Sequence, residues 1–410
     1  MRSAMCAQAN RYSGESDLES THKAQMRIIS MRLEPYCSVL LPGIQRLNRR
    51  FREAGVEEGF LIPESADVPV TQAPFETMLT APMGKRHFLL LDGEEVRGGV
   101  ILQDQQCEVN GVRDWVTNIQ MPVSEGLVDR RFAHLAAVMI RLILKRTPWA
   151  YAVGMGGLDR PFPRFLTASK WHVAPVPFWF YVLSPRRALT ELRLLRANRV
   201  RAAGARLAAQ TGLGWAGIRL LHGGSALWNR WRGQRSAVPK LRTARIRQWD
   251  GWADMIWANY RQNCSFAAIR DSTTLPYFHP LDSSLEAYRF EWDGDVVGWS
   301  AMQVTSMQNN LHFGDLRVGT ILDSLSTPGF GTAVVRSTLD VFRDRRVDLV
   351  VANQAHAEVA KSMREAGFLE GPSNYICASS PQLCGALQPF EIHGPRRYVS
   401  RGDGDGRIHL

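Results

Sequence analysis

Residues 325–331, LSTPGFG, place Pro328, Gly329 and Gly331 directly before an apolar pattern of helical spacing: Ala333, Val334, Leu339, Val341 and Phe342. A glycine-bearing turn that opens a helix can bring free backbone amides up to a phosphate. The same pattern also describes an ordinary strand-to-helix turn, so spacing alone leaves both readings open. A second glycine cluster, VGMGGL at 153–158, lacks the third spaced glycine and the long following helix of a dinucleotide loop. It reads as a tight turn. Metal chemistry is not indicated, because the ten histidines include no HxxxH pair and the cysteines at 6, 37, 107, 264, 377 and 384 no CxxC pair. RGDGDG at 401–406 is shorter than the roughly twelve-residue calcium loop and lacks its closing glutamate. No GxSxG elbow is present, which excludes the usual α/β-hydrolase nucleophile.

The elements that must position such turns are numerous. A chain of 410 residues has room for two domains of about 150 residues and a connector. With 45% hydrophobic and 22% charged residues it is globular in composition. No stretch approaches the roughly 18 uninterrupted apolar residues of a membrane span, and the polar N-terminus lacks an apolar signal core. A poorly ordered leader over 1–33 and a reduced, cytoplasmic setting are therefore expected. The net charge of +11 is local in origin: residues 186–245 hold 14 Lys and Arg against one acid, Glu191, leaving 36 bases and 38 acids elsewhere. This basic stretch carries apolar positions at helical spacing, Leu192, Leu195, Ala203 and Leu207, then Leu213, Leu220, Leu221, Trp228 and Trp231. It reads first as a solvated connector whose stripe packs on a neighbouring domain. Docking to an anionic membrane face or an acidic carrier protein is the second reading, and nucleic acid the least supported.

Outside that stretch the chain repeats itself. RHFLLLDGEEVRGGVIL predicts a strand, an Asp-Gly turn and a strand. DWVTNIQMPV continues as a strand, FAHLAAVMIRLILKR as a helix, WAYAVGM as a strand, RFLTASKW as a short helix and PFWFYVL as a closing strand. The second half has the same order: the hairpin LEAYRFEWDGDVVGWSAMQV, the strand LRVGTILDSL, the helix TAVVRSTLDVFRD, the strand VDLVVAN, the helix HAEVAKSMREAGF and the closing strand NYICAS. A hairpin feeding a strand, helix, strand crossover requires a mixed sheet, so an α+β class is expected for both halves. Trp249, Trp252 and Trp257, at near-helical spacing, are expected in the core.

This order, with a glycine-bearing turn after the third strand and AGF closing the last helix, resembles the GNAT superfamily of acyl-CoA N-acyltransferases. The second half carries the resemblance better, through TILDSLSTPGFGTAVV, DLVVANQ and AKSMREAGF, against TNIQMPVSEGLVDRRFAHLAAVM, AYAVGMGG and FLTASKWHV in the first. PVSEGLVDRRF, GMGGLDRPFPR, RVGTILDSL and the tail RRYVSRGDGDGRIHL together resemble tandem-GNAT proteins associated with bacterial polysaccharide biosynthesis. The resemblance implies GNAT-like domains over 34–184 and 248–410, each a mixed, mostly antiparallel sheet flanked by helices, joined by the basic connector at 185–247. It also implies acetyl-CoA or another acyl-CoA as co-substrate and an amine acceptor, an amino sugar or polysaccharide precursor.

In this family the third strand splays from its neighbour to admit the pantetheine arm, and the next helix offers its N-terminus to the pyrophosphate. The resemblance carries that role onto Ser326, Thr327, Gly329, Phe330, Gly331 and Thr332 in the second half. In the first half it falls on Gly126, Arg130 and Arg131. Asn353, ending the fifth strand, is a further cofactor contact. The family's usual basic residue at the turn is replaced here by Ser326, Thr327 and Pro328, and the usual tyrosine acid falls near Met363. Candidate bases are Asp323, on the strand before the turn, His312, one strand turn earlier, and Glu125, with Asp129, at the first-half turn. Two rivals remain, a transferase fed by an acyl carrier protein or aminoacyl-tRNA and a non-catalytic scaffold.

Overall fold

The computed structural model describes residues 31–65, 81–192, 216–218, 220, 222–224, 238–281 and 284–404. The expected leader up to residue 30, the apolar positions Leu195, Ala203, Leu207, Leu213, Leu221, Trp228 and Trp231 of the basic stretch, its arginines at 193, 196, 199 and 201, and the tail from Asp405 lie outside the described residues.

Two compact units are drawn from the described residues, one within 1–79, 84–104 and 117–150, the other within 80–83, 105–116 and 151–410. The first half of the chain runs β1 (Met31–Pro35), α1 (Leu41–Glu53), β2 (Met83–Asp92), β3 (Glu95–Val109), β4 (Val112–Ser124), α2 (Leu135–Arg146), β5 (Ala150–Gly154), α3 (Pro161–Ala168), β6 (His172–Pro175), β7 (Phe178–Val182) and α4 (Pro185–Glu191). The second runs β8 (Arg242–Arg245), α5 (Gly251–Arg261), β9 (Phe266–Ala268), α6 (Leu275–Phe278), β10 (Glu286–Trp292), β11 (Asp295–Ser306), β12 (Arg317–Ser326), α7 (Gly331–Asp344), β13 (Leu349–Ala355), α8 (Ala357–Ala366), β14 (Leu369–Gly371), β15 (Ile376–Ser379), α9 (Pro381–Ala386), α10 (Phe390–His393) and β16 (Val399–Ser400). The class is α+β, with two eight-stranded sheets ordered β1-β2-β3-β4-β5-β15-β6 and β14-β7-β13-β12-β11-β10-β8. β9 joins β3 and β16 joins β13 off these paths.

In the first unit, α1 turns Ile44, Leu47 and Phe51 onto Leu89, Leu91, Val96 and Val123. These three recur at the spacing of one helical face, and that face is the one buried. Asn48 is buried among them because its carboxamide closes a pair of bonds with Ile62, Nδ2–H to the carbonyl at 2.7 Å and Oδ1 from the amide at 3.1 Å.

In the second unit the hairpin turn Asp293-Gly294 has positive φ at both positions, 51° and 93°, the backbone that Asp-Gly adopts in a type I′ turn. Trp249 and Trp257 are buried and Trp252 partly so, in the core that also holds Trp299 and Phe342. Gly298 on β11 is required by close approach. A Cβ there would run into the Val334 side chain of α7 and lie 2.9 Å from the Leu325 carbonyl oxygen. Gly298→Ala is expected to cost about 1–3 kcal/mol, read from urea unfolding, since the backbone contact cannot relax by a rotamer change.

The repeat predicts that each half closes its own sheet with its last strand. Instead β7 pairs with β13 and β14 in the second sheet, and β15 inserts between β5 and β6 in the first. Residue alternation makes a segment a strand, but the ladder that selects its partner consists of main-chain groups common to every strand. Repetition in sequence therefore does not fix pairing.

Within the basic stretch, Arg187 pairs with Asp348 at 2.7 Å. His222 is buried, accepting from the Val182 amide at 3.2 Å and lying 2.8 Å from the Gly367 carbonyl. Among the described residues no helix is long and apolar enough to cross a membrane, and no three His, Cys, Asp or Glu side chains are grouped to hold a metal.

Candidate functional site

β12 pairs with β11 along its whole length, from Ser306↔Arg317 to Gly298↔Ser326. The register shifts once, so that Leu322 is left as an extra residue between Ile321 and Asp323. Such a bulge twists a strand and re-aims it. On its other side β12 runs parallel to β13 only from Val318↔Leu349 to Ile321↔Ala352. Past that point the ladder ends, and Gln354 and Ala355 pair with β16 instead. The two strands thus diverge just where the sequence reading expects a gap.

The turn after β12 is built by its own side chains. The Thr327 amide donates to the Val297 carbonyl at 2.9 Å, its hydroxyl reaches the same oxygen at 3.2 Å, and the Phe330 amide donates to the Thr327 carbonyl at 3.2 Å. Gly329 has φ 87° and open space around it. The first bond of α7 runs from the Val334 amide to the Phe330 carbonyl, so the amides of Gly331, Thr332 and Ala333 precede the helical ladder. Gly331 is demanded by helix packing: a Cβ there would collide with the Ser362 hydroxyl on α8. The Thr332 hydroxyl donates to Glu365 Oε2 at 2.6 Å, and Arg336 donates to the Glu365 carbonyl at 3.0 Å. A carboxylate of the chain itself therefore sits beside the first turn of α7, where it complements the helix dipole. Phe330 lies 6.5 Å from Trp292 between ring centroids. Ser326 ends β12 opposite Gly298.

Behind this turn, in the gap between β12 and β13, lies a buried ionic network. Arg270 donates from Nε to Asp323 Oδ2 at 2.9 Å, from Nη2 to Asp403 Oδ1 at 2.7 Å and from Nη1 to the Ala268 carbonyl at 2.7 Å. His279 Nε2 lies 3.0 Å from Asp323 Oδ2, and the Tyr398 hydroxyl contacts Asp323 Oδ1 and, at 2.9 Å, the Ser324 carbonyl. Asp403 is held in addition by the Ser400 amide at 2.8 Å. Arg270 and Asp323 are both 0% exposed, which leaves no solvent path to either. Burial alone would raise the Asp323 carboxyl, but the Arg270 guanidinium, with His279 and Tyr398, overrides it and holds the group well below the usual carboxylate range. Burial raises Asp403 despite Arg270, and pushes the Tyr398 and Tyr260 phenols far up. A carboxylate this well satisfied is a poor proton acceptor, and Asp323 works as the counter-ion of Arg270.

The remaining sequence candidates fall in different places. His312 is not on the strand before the turn; it occupies an exposed turn whose amides are capped by Asn310 Oδ1 at 2.9 and 3.0 Å. β12 begins only at Arg317, because Asn309 and Gly314, with φ 49° and 60°, reverse the chain first. Asn353 is buried, with Oδ1 accepting from Arg401 at 2.7 Å. Met363, where the resemblance calls for tyrosine, is fully buried in the core of α8.

In the first half, β4 also carries a distortion, Met121 at φ 48°. Beyond it Glu125 is 4% exposed and accepts from Arg97 Nη1 at 2.6 Å, with Arg50 Nε at 3.3 Å. Like Asp323, it is a counter-ion. Gly126 permits a close turn, since a Cβ would lie 2.6 Å from the Phe132 carbonyl oxygen. Asp129 accepts the Arg131 amide at 2.9 Å and its guanidinium at 2.6 Å. Arg130 is exposed and makes no side-chain bond to any described residue. The first bond of α2 runs from the Val138 amide to the His134 carbonyl, so the amides of Leu135, Ala136 and Ala137 also precede their ladder.

Sequence reasoning missed Arg270, His279, Tyr398 and Asp403 as a group. Their contacts span 44 to 133 positions along the chain, and no local spacing signals a partner at that distance.

No protein-family model and no curated protein matches this chain. Among solved structures it is similar to Saccharomyces cerevisiae N-myristoyltransferase with bound myristoyl-CoA, at 13% identity over 85% of this chain and 78% of that one, with a TM-score of 0.47. It is similar to a protein of Enterococcus faecalis described as a probable N-acyltransferase, at 12% identity over 88% and 74%, TM-score 0.47. A GCN5-related N-acetyltransferase from Anabaena variabilis is also similar, at 10% identity over 87% and 74%, TM-score 0.47. The likeness is loose, and the function has to be argued from this chain's own geometry.

Proposed function

We propose that the chain is an acyl-CoA-dependent N-acyltransferase of the GNAT type, with the donor taken up by the first half. The observation that carries the reading is the first-half turn after β4, where Arg130 is exposed with no side-chain bond to any described residue and the amides of Leu135, Ala136 and Ala137 precede the ladder of α2. In the second half Tyr398 and β16 already occupy the gap, the Tyr398 hydroxyl meeting the Ser324 carbonyl at 2.9 Å. In the first half the free guanidinium of Arg130 and the leading amides of α2 suit a pyrophosphate.

The reaction itself asks little of side chains. The acceptor amine attacks the thioester carbonyl, the C–S bond breaks, the amide forms, and coenzyme A leaves as the thiol after the amine proton is passed on. Asp323 and Glu125 are both committed to arginines, so we assign that proton transfer to water. An amino sugar or polysaccharide precursor as acceptor rests on the sequence resemblance. A non-catalytic scaffold is the second reading, favoured by the filled gap and by Met363. A carrier-bound donor steered by the basic stretch is the third.

Acetyl-CoA and a longer acyl-CoA, titrated calorimetrically, test the reading. Arg130→Glu is expected to weaken binding at least about tenfold, because it replaces a phosphate partner by a like charge. Gly329→Asp, at a position with open space, is expected to leave binding unchanged. The reverse pattern would put the donor in the second half. Absence of binding at millimolar ligand would move the weight to the scaffold or to a carrier-bound donor.

A further inference from the structure

Arg401 begins the short turn that follows β16. Its Nη1–H donates to Asn353 Oδ1 at 2.7 Å, and its guanidinium lies 5.5 Å from the centroid of the Tyr375 ring. Asn353 is fixed in turn, Nδ2–H donating to Ser373 Oγ at 3.3 Å, so that its oxygen faces the arginine. Ser373 is tied to Tyr375, whose amide donates to Ser373 Oγ at 3.2 Å. The guanidinium is thus held by neutral groups, the buried Asn353 and the half-buried Tyr375.

Among the described residues it has no counter-charge. Arg86 is paired with Asp104, Arg97 with Glu125, and Arg270 with Asp323 and Asp403. Among the described residues no carboxylate oxygen lies within ion-pair distance of Arg401, although it is only partly exposed. Its desolvation draws the guanidinium below its ordinary value, against an opposing effect of Tyr375. A desolvated cation without an acidic partner raises the free energy of the folded protein, and an oxyanion would relieve that cost. Asn353 directly follows Ala352, the last β13 residue paired with β12. Arg401 therefore stands where the two strands part.

We propose that Arg401, oriented by Asn353 and backed by Tyr375, is a binding site for an oxyanion of a ligand, a phosphate or a carboxylate. The guanidinium N–H groups that Asn353 leaves free form the fork that such a group accepts from. This site does not depend on the acyl-transfer reading, since its ligand is recognised by its charge and by the guanidinium fork, and its test involves no thioester.

The test is a titration of the full chain with sodium phosphate at constant ionic strength, followed by 31P line broadening, with sodium acetate followed by 13C in parallel. Saturable binding is expected, weakened at least about tenfold in Arg401→Met. Asn353→Asp keeps the side-chain shape and supplies an internal counter-ion, so it is expected to abolish binding while circular dichroism shows an intact fold. Arg401→Lys, which keeps the charge and loses the fork, is expected to weaken binding severalfold. Stronger binding of phosphate than of acetate identifies a phosphate-bearing ligand, and the reverse order a carboxylate. Failure of both anions to saturate at tens of millimolar overturns the proposal, as does phosphate binding that persists in folded Asn353→Asp.

Discussion

Arg270→Met is expected to destabilise the protein by about 3–5 kcal/mol, the range for removing one partner of a buried ionic group. Methionine fills much of the volume but leaves Asp323 and Asp403 facing each other without the cation that both contact. The result is to be read from urea unfolding at neutral pH. A loss under about 1 kcal/mol would mean that water or a proton replaces the guanidinium without strain. The pH dependence identifies the cause. The folded-state carboxyl of Asp323 is depressed, whereas in the unfolded chain it titrates near the ordinary value of about 3.9. Its contribution to stability is therefore fully present above that ordinary value and is lost as pH falls toward the folded-state value. Arg270→Met removes the main source of the depression, so its stability should decline less steeply between about pH 5 and pH 3. Asp403, raised by burial, acts with opposite sign and gives up stability as pH rises through its folded-state value. Asp403→Asn should accordingly be tolerated better than Asp323→Asn.

Tyr398→Ala is expected to cost about 3–5 kcal/mol, the usual range for truncating a fully buried aromatic ring. The ring is 0% exposed and packs edge-on against Tyr260 at 5.5 Å. Tyr398→Phe separates the packing from the hydroxyl. It should cost about 1–3 kcal/mol, because the Ser324 carbonyl and Asp323 each lose a buried partner. Hydrogen exchange gives an independent readout: the Ser324 amide, 3.4 Å from the phenol oxygen, should exchange faster in Tyr398→Phe while distant β12 amides do not. Stability of Tyr398→Phe equal to that of the unsubstituted protein would show that the hydroxyl contributes nothing, and that the gap between β12 and β13 is held by shape alone.

The amino-acid order by itself determined the elements. Hairpins marked by Asp-Gly, the helix over Gly331–Asp344 and the strands over Arg317–Ser326 and Leu349–Ala355 were legible because side-chain periodicity and turn chemistry act over a few residues. So was the glycine turn at 329–331, although not the reason for Gly331, which is the packing of α7 against Ser362. Three things were decided only by tertiary structure. The exchange of β7 and β15 between sheets depends on main-chain ladders that carry no residue code. The role of Asp323 depends on Arg270 and Tyr398, 53 and 75 positions away, which turn a candidate base into a counter-ion. That Arg401 has no carboxylate partner among the described residues is likewise a fact of three dimensions, since Asp403, two positions along, points to Arg270. Charges and hydrogen bonds are pairwise and long-range along the chain, whereas periodicity is local, and only folding brings the pairs together.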